Sequence, residues 1–264
     1  SFEGKIAADV AQGSRVSQAS AINIDETYLP KVFTGMFEIG DIPWATGRAE
    51  AKTTAIDEVR IYATALDVGG MRMLYSRLAS MAPGAEPNTR TATPEVKPLK
   101  ATLTPRDRKN AALFKEILFR ASYDQGVDAD IHKGDPKCKT QGKVVFDEGR
   151  FGKAIAVGEK FAHLAYTMGS NSHPINLSCR EGSLSFHFKA VDWEPSEKRS
   201  HLFFHVKSLA LLRVFTDSEG MLVFETGSDL DQCNAVKASL ADKKKGQWIH
   251  VAATWCEKEI RLYL

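Results

Sequence analysis

Period-two alternation of apolar and polar residues dominates the second half of the chain. In GSLSFHFKA (182–190), Leu184, Phe186 and Phe188 fall on one side and Ser183, Ser185 and His187 on the other. That is the pattern of a half-buried strand. HLFFHVK, LLRVFTD, MLVFET, AVKASLA, WIHVAATW and EIRLYL repeat it between residues 201 and 264, separated by turn material such as DSEG, GSDLDQ and DKKKG. Short strands at about ten-residue spacing predict an antiparallel sandwich rather than alternating strands and helices. The first segment continues in kind with GKIAADV, MFEIGDI and AIDEVRIYATAL. Helix is scarce. Residues 66–81 and 107–118 are the only short candidates, and Gly69 and Gly70 weaken the first.

Residues 76–110 break the pattern. Five of the ten prolines lie there (Pro83, Pro87, Pro94, Pro98, Pro105), and no aromatic residue occurs between Tyr75 and Phe114. Such a stretch buries little apolar area and favours extended backbone, so it reads as a linker between segments 1–75 and 111–264. The 43% hydrophobic and 26% charged residues are those of a globular protein. With a net charge of +2 and the signs mixed along the chain, the basic stripe of a nucleic-acid binder is missing. No apolar run approaches the ~18 residues of a membrane span. The N-terminal SFEGKIAADV lacks the charged and apolar regions of a signal peptide.

The four cysteines, Cys138, Cys179, Cys233 and Cys256, form no CxxC and have no histidine within four residues, which disfavours zinc. Their even number fits two disulfides in an oxidising compartment, or else four unrelated buried thiols. Cys233 and Cys256 flank the strands expected at 235–240 and 248–255 and are expected to bridge, leaving Cys138 and Cys179 as the second pair.

Several motifs carry a family resemblance. ILFRASYDQGVDAD is similar to the first strand of laminin-G-like domains, which belong to the concanavalin A-like sandwiches. GRFGKAIAVGEKFAHLAY resembles a strand pair of that family, GSLSFHFKA its next strand, GQWIHVAATWCEKEIRLYL its WxHVA segment, and AIDEVRIYATAL its closing strand. The resemblance implies an all-β, antiparallel two-sheet jelly-roll sandwich. The order of parts departs from the family, because the closing strand precedes the opening one. Segment 1–75 thus resembles the C-terminal part of a laminin-G-like sandwich, and 111–264 its N-terminal part. Three arrangements fit: one circularly permuted domain, a window cut from a tandem array, or exchange of the first segment between neighbours. In the first and third, Glu58–Tyr62 is expected beside Leu118–Tyr123, and Tyr263–Leu264 close to Ser1–Phe2.

Candidate chemistry is sparse. Asp57 and Glu58 are adjacent and, on a regular strand, face opposite sides, which argues against the paired carboxylates of a glycan-cleaving relative. No GxSxG, P-loop or HExxH occurs. The resemblance implies structural calcium where first and last strands meet, here at Asp57 and Asp124, with Asp128 and Asp130 nearby. It also implies a glycan or protein ligand. Candidate contacts are Trp44 and Trp193 in loop-like contexts, together with His187 and His205 on strands; Trp248 and Trp255 read as core. Asn176-Leu-Ser178 is a glycosylation sequon. The expectation is a non-catalytic, secreted or periplasmic module that binds carbohydrate or protein. The alternatives are an assembly subunit joined by segment exchange and, more remotely, a glycan-active enzyme.

Overall fold

The structure is a computed structural model that describes residues 19–23, 35–40, 52–71, 74, 117–158, 162–169, 175–207, 211–227 and 233–264. The alternating segments become strands. The first segment forms β1 (Ala19–Asn23), β2 (Gly35–Ile39) and β3 (Thr54–Tyr62). The second opens with β4 (Ile117–Ala121), β5 (Ile131–His132), β6 (Cys138–Gln141), β7 (Val145–Glu148), β8 (Lys153–Val157) and β9 (His163–Gly169). It continues with β10 (Gly182–Ala190), β11 (Leu202–Lys207), β12 (Leu211–Thr216), β13 (Met221–Gly227), β14 (Cys233–Ser239), β15 (Trp248–Trp255) and β16 (Glu259–Tyr263).

Two antiparallel sheets make a β-sandwich. The nine-stranded sheet runs β1-β16-β15-β10-β3-β4-β5, with β8 also beside β3 and β7 beside β8. The seven-stranded sheet runs β14-β13-β12-β11-β2-β9-β6. Each described strand of the first segment is thus hydrogen-bonded to strands of the second. β3 lies between β10 and β4, with Val59 opposite Ala121 and Ile61 opposite Phe119. β2 lies between β11 and β9. β1 extends the nine-stranded sheet beyond β16, with Ala19 opposite Tyr263. Left unpaired, β3 would expose a row of backbone donors and acceptors, so this central slot is where it is most stable. Residues 1–18, including GKIAADV, and the proline-rich stretch lie outside the described residues.

The inner faces of both sheets supply the core. Phe37 of β2 sits 5.1 Å from Phe119, 5.4 Å from Tyr166 and 5.5 Å from Phe204, ring centroid to centroid. One aromatic cluster therefore ties the first segment to strands of both sheets; each such ring pair adds ~0.5–1.5 kcal/mol beyond its buried area. A smaller cluster lies on the outer side of the nine-stranded sheet, where Leu66, Met71 and Leu74 pack with Tyr62, Ile117, Phe151, Ala252 and Tyr263. Covered on both sides, every residue of β3 is buried.

Several expectations are corrected. Ile117–Leu118 open β4 instead of ending a helix, and among the described residues helix is confined to the 68–74 region. GKAIAV and HLAYTMG do not pair with each other: β8 joins β3 and β7, whereas β9 joins β2 and β6. The disulfides are absent. Strands β14 and β15 belong to different sheets, so the DKKKG segment crosses between sheets and does not bring Cys233 to Cys256. Cys138 lies half-buried on β6 opposite Tyr166, Cys179 is buried in the core, and none of the four is bridged. Burial pushes the Cys138 thiol up to about 11 and holds that of Cys179 well above its usual range, which suppresses thiolate chemistry at both.

Candidate functional site

Three places carry polar groups in organised arrays. The first is the turn between β7 and β8. Gly149 N–H donates to the Gly152 carbonyl at 2.9 Å and closes it. Asp57 reaches this turn from β3 and accepts the Phe151 N–H at 2.8 Å on Oδ2, while Asp124, just past β4, accepts the Lys153 N–H at 2.9 Å. The structure therefore brings together the two carboxylates singled out from the sequence. Two glycines make room for them. A Cβ on Gly149 would lie 2.9 Å from Asp57 Oδ2, and one on Gly152, which has φ +79°, would collide with Asp124 Oδ1. Asp57 is fully buried, and its Oδ1 has no hydrogen-bond partner. Burial pushes its carboxyl up to about 7; the Phe151 amide opposes this, and Glu58 and Asp124 add repulsion. Asp128 and Asp130 are committed elsewhere. Asp128 binds Lys137 and the Cys138 N–H, and Asp130 accepts the Ser122 N–H.

The second array covers the outer face of the nine-stranded sheet. Between the pairs Ser185–Arg60 and His187–Asp57, β3 carries one extra residue, a β-bulge, and Glu58 takes φ 54° there. The bulge defeats simple alternation: Asp57 and Glu58 both reach the outer side. Glu58, buried, is clamped by Arg60 at 2.6 Å and by Arg120 at 2.7 and 3.0 Å. Beside it, Ser185 Oγ is 2.9 Å from His250 Nε2, and the His187 and His250 rings stand 4.7 Å apart. Burial, with repulsion from His250, Arg60 and Arg150, holds His187 well below the usual histidine range, and burial with the nearby Arg60 charge lowers His250 to about 4, so both imidazoles are neutral at pH 7. Trp248 also lies on this face, half-buried beneath Lys189 Nζ at 5.0 Å, instead of in the core. Trp255 is in the core, as its alternation implies.

The third array crosses the outer face of the seven-stranded sheet. Cross-strand register aligns Ala165, Glu38, His205, Arg213, Glu225 and Ala235 in one row over six adjacent strands. His205 Nδ1 is 3.7 Å from Glu38 Oε2, and Arg213 Nε donates to Glu225 Oε2 at 2.6 Å. The Arg213 guanidinium sits 4.4 Å from the Phe215 ring centre. Half-buried Phe215 and buried Val223 flank the row on one side, Met36 and Leu211 on the other. Glu38 and Glu225 are separated by three strand spacings, or ~14 Å. Paired carboxylates for glycoside hydrolysis stand ~5–9.5 Å apart.

The remaining sequence candidates are dispersed. His187 and His205 lie on opposite outer faces and share no site. Trp193 is 2% exposed; its Nε1 donates to Thr54 Oγ1 at 3.1 Å, and its ring stacks on His201 at 3.7 Å. It anchors the β10–β11 connection to β3 and presents no face to a sugar. Trp44 lies outside the described residues. Asn176 is fully buried, accepts the Lys133 and Gly134 amides and donates to the Asp135 and Thr167 carbonyls, so it is a loop clamp and its sequon is inaccessible in the folded chain. Of the charged row the sequence singles out His205 alone; Glu38, Arg213 and Glu225 come from three other strands, and only register aligns them. No protein-family profile, curated protein or solved structure matches the chain.

Proposed function

We propose that this chain is a non-catalytic, laminin-G-like jelly-roll module that binds carbohydrate on the outer face of its seven-stranded sheet. The observation that carries the reading is the Glu38–His205–Arg213–Glu225 row. Its polar groups are held in fixed positions by the Arg213–Glu225 ion pair and the cross-strand contact of His205 with Glu38, and are flanked by apolar side chains. Sugars present hydroxyl groups around apolar ring faces, and such sites combine a few fixed polar groups with apolar contact area. The carboxylates support binding more than cleavage, because Glu225 is paired with the Arg213 guanidinium, and Glu38 and Glu225 stand too far apart to share a glycosidic bond. On the other sheet, Glu58 is locked between Arg60 and Arg120 and Asp57 is tied to the Phe151 amide, so neither is placed as a catalytic carboxylate. Glu38, itself buried, serves the row by fixing His205, with His205, Arg213 and Glu225 left to meet the ligand.

Calcium forms part of the same reading. Asp57 and Asp124, with the unpartnered Asp57 Oδ1 and the glycine-lined turn, suit a hard cation that takes oxygen ligands, and the ion would offset the repulsion between the two carboxylates. An extracytoplasmic location rests on the resemblance, since no disulfide supports it.

The test is an oligosaccharide panel presented to the native chain and to Arg213→Met. Binding by the native chain with at least a tenfold loss in the variant supports the proposal. Equal binding by both, or binding only to proteins, overturns it. For calcium, melting in millimolar calcium and in chelator should differ by several degrees in the native chain and coincide in Asp57→Asn.

A further inference from the structure

We propose that β7 is a self-association edge through which two copies of this chain join their nine-stranded sheets. Strand β7 pairs only with β8, so its other edge is unpaired among the described residues. All four of its residues are exposed, including Val145 at 40% and Phe146 at 45%, the two most exposed large apolar residues described. An unpaired edge strand carrying apolar side chains is a ready template for another strand.

Symmetry and side-chain direction single out a second copy as the occupant. Two identical antiparallel edges meet about a two-fold axis perpendicular to the sheet, so directly opposed residues point to the same side. Phe146 lies opposite Ile155, a core residue, and Val144 packs on the core, so both face inward. Asp147 faces outward, where it meets Lys189 at 3.6 Å; Val145, two residues away, shares that side. Only registers that match inward with inward residues are allowed. Centred on Val145, the pairing sets Val145 against itself, Lys143 against Asp147 twice, and Val144 against Phe146 twice. Centred instead on Phe146, it sets Val144 against Glu148 and Val145 against Asp147, apolar against charged. Charge and apolar complementarity both select the first register. A short strand pair buries less than the ~1,200 Å² of a standard interface, so the dimer belongs to the weak class.

Sedimentation velocity on the full chain, from about 1 µM to about 500 µM, should show the mass doubling as concentration rises. Val145→Lys places two ammonium groups face to face and should restore the monomer mass throughout, with an unchanged melting temperature because the site is exposed. Lys143→Glu should weaken the dimer at least tenfold, and adding Asp147→Lys should restore it. Under mild oxidation Val145→Cys should cross-link two copies, with Phe146→Cys and the native chain as slower controls. A monomer at every concentration, a dimer indifferent to Val145→Lys, or equal cross-linking through position 146 would overturn the proposal.

Discussion

Replacing Glu58 tests the logic of the bulge and its clamp together. Its carboxylate, 3% exposed, meets Arg60 at 2.6 Å and Arg120 at 2.7 Å, and the two guanidinium groups are 7% and 25% exposed. Removing one member of a buried ion network leaves charge without compensation and costs ~3–5 kcal/mol. Arg120 can turn toward water and Arg60 cannot, which places Glu58→Ala near the lower end, at ~3 kcal/mol. For a chain of this size that corresponds to a fall of about 6–12 °C in melting temperature. A second substitution separates charge from backbone. With φ 54° at position 58, a side chain is strained by ~1–2 kcal/mol, a cost that glycine lacks. In an ordinary strand glycine is worse than alanine by ~0.5–1 kcal/mol. Here the order should reverse, with Glu58→Gly more stable than Glu58→Ala by ~0.5–1 kcal/mol. Urea denaturation of the three proteins at one pH measures this. An alanine variant within ~1 kcal/mol of the native chain would refute the clamp, and a glycine variant less stable than alanine would refute the strained bulge.

Three further outcomes follow from the same geometry. Gly152→Ala forces a Cβ into Asp124 at a positive φ, so it should cost ~2 kcal/mol and abolish any calcium-dependent rise in melting temperature; an unchanged melt and calcium response would contradict the geometry of the turn. Folding lowers the His250 pKa from its ordinary value of 6.5 to about 4, so the unfolded chain binds more protons between those values and stability should fall as pH drops from 6.5 toward 4. His250→Gln should flatten that part of a pH–stability profile, and a parallel profile would count against a buried neutral imidazole. Because no disulfide joins the sheets, dithiothreitol should leave the melting temperature unchanged, and denatured, unreduced protein should titrate four thiols; fewer would reveal a bridge.

The sandwich was legible where alternation was regular and both faces had a clear fate, as in 182–190, 211–216 and 248–255. It was illegible where strands are only four residues long: CKTQ of β6 and VFDE of β7 are too short for alternation to show and are held by cross-strand pairing to β9 and β8. The connection 240–247 looks locally like a hairpin turn, and local sequence does not reveal that its flanking strands enter different sheets. That hidden crossover is why the cysteine pairing failed. Asp57 and Asp124 were singled out through the family resemblance, which matches them to the last and first strands, yet the bulge that carries Glu58 to the same side as Asp57 had no marker such as glycine. The row from Glu38 to Glu225 exists only through register across β2, β11, β12 and β13, a long-range property that no local pattern encodes.

Amide and arginine side-chain NMR shifts during titration with the tightest-binding glycan of the panel show whether a carbohydrate lies across that row. Saturable shifts are expected at Glu38, His205, Arg213, Phe215 and Glu225, with the outer face of the nine-stranded sheet around His187 and Trp248 unchanged. Shifts confined to that opposite face, or none at millimolar concentrations of any glycan tested, would contradict carbohydrate binding at the row.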